Sequence, residues 1–316
     1  MDWTSVQLRA LVAVQQTGSV RAAADELGYT PGAVSQQISA LEREAGTALT
    51  ERIGRGLRLT PIGVELAAHA RRILDVDAQI VAALEASADA VQGELYVGAF
   101  ASAAVDMWPA LLRTLRSTYP ELSVVTRELD VDDLHASVAS GAIDVAVGLD
   151  YPDNPIPRDP HLRSLTLRRE RFEIAAPATT FNQSTIRLAD LADRDWILAP
   201  EASQYGRAVR AVCRRYGVEP RVRHEVTDTA VSMAMVEAGL GIAPATESML
   251  RLRPARVDRL TLAEEFVRDI VAVVRTVAAD RPAIKAFLDA LTASIDDRPI
   301  DDRPPAESPL ADNSIG

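Results

Sequence analysis

Apolar positions recur at three- and four-residue spacing from the start of the chain. Leu8, Leu11 and Val12 mark one face of a helix over residues 6–16, which Thr17 and Gly18 end. Ser19 stands as an N-cap before a second short helix, 20–27, and Gly28 and Tyr29 make a tight turn. Thr30 and Pro31 restart the chain with an N-cap and a proline suited to the first helical position, so a third helix runs from 31 to about 45. Val34, Ile38, Leu41 and Ala45 form its apolar stripe. Gly32, Gln36, Ser39 and Arg43 form the opposite stripe, flanked by Ser35.

That opposite stripe is the first chemical signal. A solvent helix usually carries Lys and Glu there. Here a glycine and small neutral donors and acceptors, entered through Thr30 and Pro31, let the helix approach base edges, where Gln pairs with adenine and Ser with several bases. Residues 49–53 and 57–60 read as two short strands around Gly54, Arg55 and Gly56, with Arg52, Arg55 and Arg58 along the hairpin. An arginine between glycines at a hairpin tip suits phosphates or a narrow minor groove. The first sixty residues therefore predict an all-α winged helix-turn-helix that contacts double-stranded DNA.

The order of these signatures is specific. Gly18 to Ala24 (Gly-Ser-Val-Arg-Ala-Ala-Ala), Thr30 to Ile38 (Thr-Pro-Gly-Ala-Val-Ser-Gln-Gln-Ile), Leu41-Glu42, Glu51-Arg52 and Leu59 to Gly63 (Leu-Thr-Pro-Ile-Gly) resemble the LysR-type transcriptional regulators. One departure is Thr50, where that family usually has an aromatic residue under the wing.

A long helix is expected from Thr60-Pro61 to about residue 90. Leu66, Ile73 and Ile80 lie seven apart, and so do Ala70, Asp77 and Leu84, with Ala67, Leu74 and Val81 widening the stripe. A helix of about thirty residues leaving a small domain cannot bury such a seam in itself. It packs either on its own regulatory domain or on a second subunit. The resemblance implies the second, a homodimer or homotetramer with Leu66, Ala70, Ile73, Ile80 and Leu84 at the dimer contact. Residues 91–93 read as a hinge.

From Glu94 the pattern alternates. Strands are predicted over 95–100, 122–129 and 143–149, and helices over 107–118 and 132–140, a βαβαβ unit with parallel strands. A Pro-rich stretch, 151–160, leads to a second unit with strands over 165–176, 196–199, 221–226, 241–244 and 257–262 and helices over 203–216 and 229–238. A strand over 268–275 and a helix over 281–294 return to the first. The expected domains are 1–60, a linker 61–92, and an α/β effector domain 93–295. That domain has lobe I (93–160 and 266–295) and lobe II (161–265), and resembles a two-lobe periplasmic binding protein. The Pro- and Asp-rich tail 296–316 is expected to be disordered.

Ligands of such sheets sit at the carboxyl ends of strands, between the lobes. Four loops qualify: Ala101, Ser102 and Ala103; Leu149 and Asp150; Pro200, Glu201, Ala202 and Ser203; and Thr227, Asp228 and Thr229. Ser102, Ala103, Asp150, Glu201, Ser203, Thr227 and Asp228 are the candidate effector-binding residues. A helix opening at Ala101 favours a carboxylate, and Asp228 a positive group, so an amino acid would reconcile the two.

Composition then excludes alternatives. The 316 residues are 47% hydrophobic, enough for buried cores, yet no run approaches the roughly 18 apolar residues of a membrane span. Met1-Asp2-Trp3 begins no basic region followed by an apolar run, so a cytoplasmic protein without membrane attachment is expected. Net charge is −11, but residues 1–72 hold eight arginines against seven acids, so net +1, and three of those arginines lie on the wing. His69, His135, His161 and His224 have no metal-ligand spacing, and no catalytic order of Ser, His and Asp is recognisable. No cofactor is expected. Cys213, the single cysteine, stands beside Arg210, Arg214 and Arg215, which gives it a minor claim as a redox sensor. The reading is an effector-controlled transcriptional regulator, not an enzyme, with RNA polymerase as a candidate further partner. The alternative is an α/β enzyme or solute-binding protein with an accessory DNA-binding domain.

Overall fold

The computed structural model describes residues 2–53, 56–86, 90–157 and 159–296. α1 (Ser5–Thr17) opens with a capping box: Gln7 N donates to Thr4 Oγ1 at 3.3 Å, and Thr4 N donates to Gln7 Oε1 at 2.7 Å. α2 (Val20–Leu27) and α3 (Pro31–Ala45) start at the expected caps, Ser19 and Thr30. The three helices bury Leu8, Leu11, Val34, Ile38 and Leu41 in one core. β1 (Thr50–Ile53) and β2 (Gly56–Leu59) pair antiparallel as the wing. Its tip, Gly54 and Arg55, and the tail from 297 lie outside the described residues.

α4 (Pro61–Ala86) is the expected long helix, though residues 87–89 lie outside the description. Its apolar seam divides in two. Ala67, Ala70 and Leu74 are buried in the core shared with α1–α3, and Leu66 is half-buried against it. Asp77 faces Arg9 of α1 at 3.9 Å. Ala70 is therefore a core residue of the DNA-binding unit, not part of an open seam. A seven-residue repeat cannot tell which side of the helix the neighbouring domain will cover. Farther along, Ala78 joins the core of the regulatory domain. Ile73, Val76, Ile80 and Leu84 stay exposed, at 41%, 53%, 55% and 67%.

The regulatory domain begins with β3 (Gly93–Ala99), α5 (Ala101–Thr118), β4 (Leu122–Glu128), α6 (Leu134–Ala139) and β5 (Val145–Asp150), with β4 and β5 parallel to β3 as expected. β6 (Leu162–Arg171), β7 (Glu173–Pro177), β8 (Thr185–Ile186), β9 (Asp195–Leu198), α7 (Gln204–Arg215), β10 (Arg221–Glu225) and α8 (Thr229–Glu237) follow. The chain then forms β11 (Ala243–Ala245), α9 (Glu247–Leu252), β12 (Val257–Leu262), β13 (Val267–Arg275) and α10 (Pro282–Asp296).

The single strand expected over 165–176 is two strands in two sheets. β6 pairs with β13 at the edge of the lobe I sheet, order β4-β3-β5-β13-β6, and β7 lies inside the lobe II sheet, order β11-β7-β12-β8. A bridge between Trp196 and Ile242 joins the β10-β9 pair to lobe II. Lobe II thus runs from Glu173, not from 161. A run of strand-forming residues does not record that the chain changes sheets at Phe172. Phe172 and Phe266 mark the two crossings, and their rings stack at 4.0 Å.

The DNA-binding unit rests on lobe I. Arg127 Nη1, on β4, donates to the Glu26 carbonyl at 2.9 Å. The Glu26 side chain is only 6% exposed, and neither carboxylate oxygen has a hydrogen-bond partner of good geometry. Burial pushes this carboxyl up from 4.5 to about 7; the nearby Ser140 hydroxyl opposes the shift and Asp133 adds to it. The folded chain therefore holds the proton more tightly than the unfolded chain. The contribution of this one group to stability is full below about pH 4.5 and falls by up to about 3 kcal/mol as pH rises to 7. Glu26→Gln should be more stable than the wild type near pH 8 and lose that advantage near pH 5. Denaturant midpoints at the two pH values check this, and an identical pH response in both proteins would refute it.

Candidate functional site

α3 presents its predicted stripe to solvent. Thr30, Pro31, Gly32, Ser35, Gln36, Ser39 and Arg43 are all exposed, while Val34, Ile38 and Leu41 hold the helix on α1 and α2. Arg52 of the wing is exposed beside them, and Arg58 is paired with Glu51 at 2.8 Å. Arg55 falls outside the described residues. The wing is held to α3 by Glu42, a residue whose role the sequence reading missed. Its Oε1 accepts from Leu49 N at 2.9 Å, Thr50 N at 3.0 Å and Thr50 Oγ1 at 2.9 Å. Thr50, the departure under the wing, is thus a hydrogen-bond donor where an aromatic residue would pack.

Between the lobes lies a cavity of about 490 Å³. Ser102, Ser203, Thr227 and Asp228 line it, as expected, so Ser102 of lobe I and Thr227 of lobe II border one space. Ser203 and Asp228 also serve as N-caps, of α7 and α8. Three expected residues lie elsewhere. Ala103 is buried in the core. Asp150 Oδ1 accepts from Tyr151 N and Ile156 N and so fixes the loop after β5. Glu201 is paired with Arg214 at 2.8 Å on the surface. A loop at a strand end has only some of its side chains turned to the cleft, and a linear pattern does not say which.

The cavity also has lining that the sequence reading missed. Tyr151 and Tyr205 form part of the wall, and Glu128, Asp130 and Asp132 lie on the lobe I side. Arg268, 3% exposed, lies 5.6 Å from the rings of both Phe100 and Phe172. Its Nε donates to Glu170 at 2.8 Å and its Nη2 to Thr246 and Ser248, both at 3.0 Å. Arg168 donates to the other Glu170 oxygen at 2.6 Å and to Asp106 at 3.1 Å. Burial opposes the charge on Glu170, but Arg268 and then Arg168 outweigh it and hold the carboxyl at about 2. This buried network sits where β6 and β13 leave lobe I, so it braces both crossings. The Asp132 carboxylate adds a link from lobe I to lobe II, accepting from Gln204 N at 3.0 Å.

Cys213 is 2% exposed. Burial pushes its thiol up to about 12, with Glu219 adding and Arg210 and Arg214 opposing. A thiol kept protonated and covered is a poor redox sensor.

Two family models cover the chain: the bacterial regulatory helix-turn-helix protein of the lysR family over residues 6–64, and the LysR substrate binding domain over residues 88–296. The chain belongs to the LysR family of transcriptional regulators. Its relatives include the transcriptional regulator TfdS of Cupriavidus pinatubonensis, 31% identical over 90% of this chain and 96% of that protein. Among solved structures, full-length CbnR in complex with its target DNA is 25% identical, covers 92% of this chain and 99% of its own, and superposes with a TM-score of 0.53. A full-length OxyR variant from Pseudomonas aeruginosa shares the fold, with 21% identity, TM-score 0.64, and coverage of 93% and 95%. This LysR-family chain is a DNA-binding transcriptional regulator with an effector-binding domain of two α/β lobes. The enzyme and solute-binding alternatives fall with that assignment. Among the described residues, no helix is long and apolar enough to cross a membrane.

Proposed function

We propose that this regulator acts as a homodimer, or a homotetramer built from dimers. The α3 stripe enters the major groove and Arg52 contacts the backbone beside it. The supporting observation is the exposed face of α3, in which glycine, serine and glutamine replace the usual charged surface residues around Gln36. Subunits meet along the exposed row of α4 formed by Ile73, Val76, Ile80 and Leu84. A small-molecule effector binds between the lobes against Ser102, Ser203, Thr227 and Asp228, and changes how the two α3 helices are spaced. The protein works in the cytoplasm, and RNA polymerase is its partner at the promoter.

Selection from random duplexes with the full chain tests the DNA reading. The wild type should enrich a two-fold symmetric sequence whose half-sites lie about one helical turn apart or a multiple of it. Gln36→Ala should enrich a degenerate version at the positions Gln36 reads. An identical motif from both proteins would remove Gln36 from base recognition.

A further inference from the structure

We propose that Arg127 is a positioning residue for the recognition helix, and that the segment from Arg127 to Asp132 couples the cleft between the lobes to the DNA-binding unit of the same chain. Its use in effector control rests on reading the cleft as the effector site. The contacts that carry it do not depend on that reading.

Arg127 grips the turn of the helix-turn-helix. Its Nη1 donates to the Glu26 carbonyl at 2.9 Å. Its Nη2 lies against Gly28, where a Cβ would stand only 2.8 Å from it. Gly28 ends α2 in the left-handed region, at φ 71°, and Thr30, the N-cap of α3, follows two residues later. Gly28 N and Tyr29 N both donate back into α2, Tyr29 N to the Ala24 carbonyl at 2.8 Å. The guanidinium therefore holds the short connection that sets where α3 starts, through a charge-assisted hydrogen bond. α6, which follows the segment, packs on α1 and α2. The DNA-binding unit thus meets lobe I both before and after it.

The residues between those two contacts are cleft wall. Glu128 to Asp132 all line the cavity. Backbone bonds stiffen them: Leu129 N donates to the Ala99 carbonyl at 3.0 Å, Asp132 N to Asp130 Oδ1 at 3.2 Å, and Asp133 N to the Asp130 carbonyl at 3.1 Å. Leu134, 0% exposed, anchors the far end in the regulatory-domain core. Asp132 is tied across the cleft, because its carboxylate accepts from Gln204 N, the first residue of α7 in lobe II, at 3.0 Å. A shift of lobe II that moves α7 pulls on Asp132, and the stiff segment passes the displacement to Arg127. Such coupling is reciprocal, so loosening either end loosens the other. Its signature is a response at both ends.

Amide hydrogen exchange on the full chain, with no ligand present, tests this at Gly28 and Tyr29 on one side and Gln204 on the other. Arg127→Ala should speed exchange at Gly28 and Tyr29 about tenfold, and Arg127→Lys, which keeps a donor, much less. Asp132→Ala, made in the cleft, should speed the same two amides at least about fivefold, whereas Asp132→Asn keeps the acceptor for Gln204 N and should leave them as in the wild type. Arg127→Ala should in turn speed Gln204. The double alanine variant should match Arg127→Ala at Gly28 and Tyr29, since the second change acts through the first. Amides of Leu11 and Val97, in the two cores, should not change in any variant. If they speed up as much as Gly28 and Tyr29, the effect is general unfolding and the positioning role is overturned. No change at Gly28 and Tyr29 in Arg127→Ala overturns it as well. If Asp132→Ala speeds Gln204 alone and Arg127→Ala speeds Gly28 and Tyr29 alone, the coupling is overturned and the cleft reading stands. The cleft reading fails separately, in thermal shift with the common L-amino acids and with succinate, glutarate and adipate: a compound that stabilises wild type, Ser102→Ala and Thr227→Ala equally binds elsewhere, and effector control through this segment is then overturned.

Discussion

Ile80→Asp should convert the protein from a dimer to a monomer and take operator affinity down with it. Ile80 is 55% exposed on α4, in a row with Ile73 at 41% and Val76 at 53%. The other side of the same helix is already buried, through Ala67, Ala70 and Leu74 against the α1–α3 core and through Ala78 against the regulatory domain. A symmetric helix pair places each substitution in the interface twice. Two carboxylates desolvated against apolar neighbours cost at least about 2 kcal/mol each, so dimer dissociation should rise about a thousandfold or more. Sedimentation at micromolar concentration measures it. A stable dimer of the Ile73→Asp, Ile80→Asp double variant would show that this row is not the subunit contact.

Gly63→Ala should destabilise the DNA-binding unit while leaving the regulatory domain intact. A Cβ at position 63 would stand 2.1 Å from the Leu49 carbonyl oxygen and 3.0 Å from its carbonyl carbon. Both are backbone atoms, so no flexible side chain can move aside. That carbonyl is also fixed by Thr60 N at 2.9 Å, and Thr60 Oγ1 holds Ala48 O at 2.9 Å. In an open helix, alanine would gain about 1 kcal/mol over glycine. Here a backbone clash costing about 3 kcal/mol or more outweighs that gain. The expected result is a lower first melting transition, an unchanged second one, and loss of operator binding. A melting profile like that of the wild type would show that the start of α4 can move away from the wing.

Much of this arrangement is legible in the residues. Ser19, Thr30 and Pro31 announce α2 and α3 because caps are local, and the stripe from Gly32 to Arg43 follows from helical period alone. The loops carrying Ser102, Ser203, Thr227 and Asp228 could be placed at the cleft because strand order fixes which ends face it. What stayed hidden is set by contacts between segments distant in sequence. The exchange of sheets at Phe172 depends on β13, about a hundred residues later, being the partner of β6. Ala70 reads as a seam residue until α1 covers it. Arg268, Glu170 and Tyr151 carry no motif, and only the folding of two crossings onto one cavity brings them together.

The most direct test of the account is a titration of the selected operator and a scrambled duplex at several salt concentrations, with wild type, Gln36→Ala and Arg52→Ala. Gln36→Ala should lose about 1–3 kcal/mol of discrimination between the two duplexes and keep the salt slope of the wild type. Arg52→Ala should weaken both duplexes alike and lower the slope by about one unit. If Gln36→Ala and wild type prefer the operator equally at every salt concentration, the α3 stripe does not read DNA in the way described.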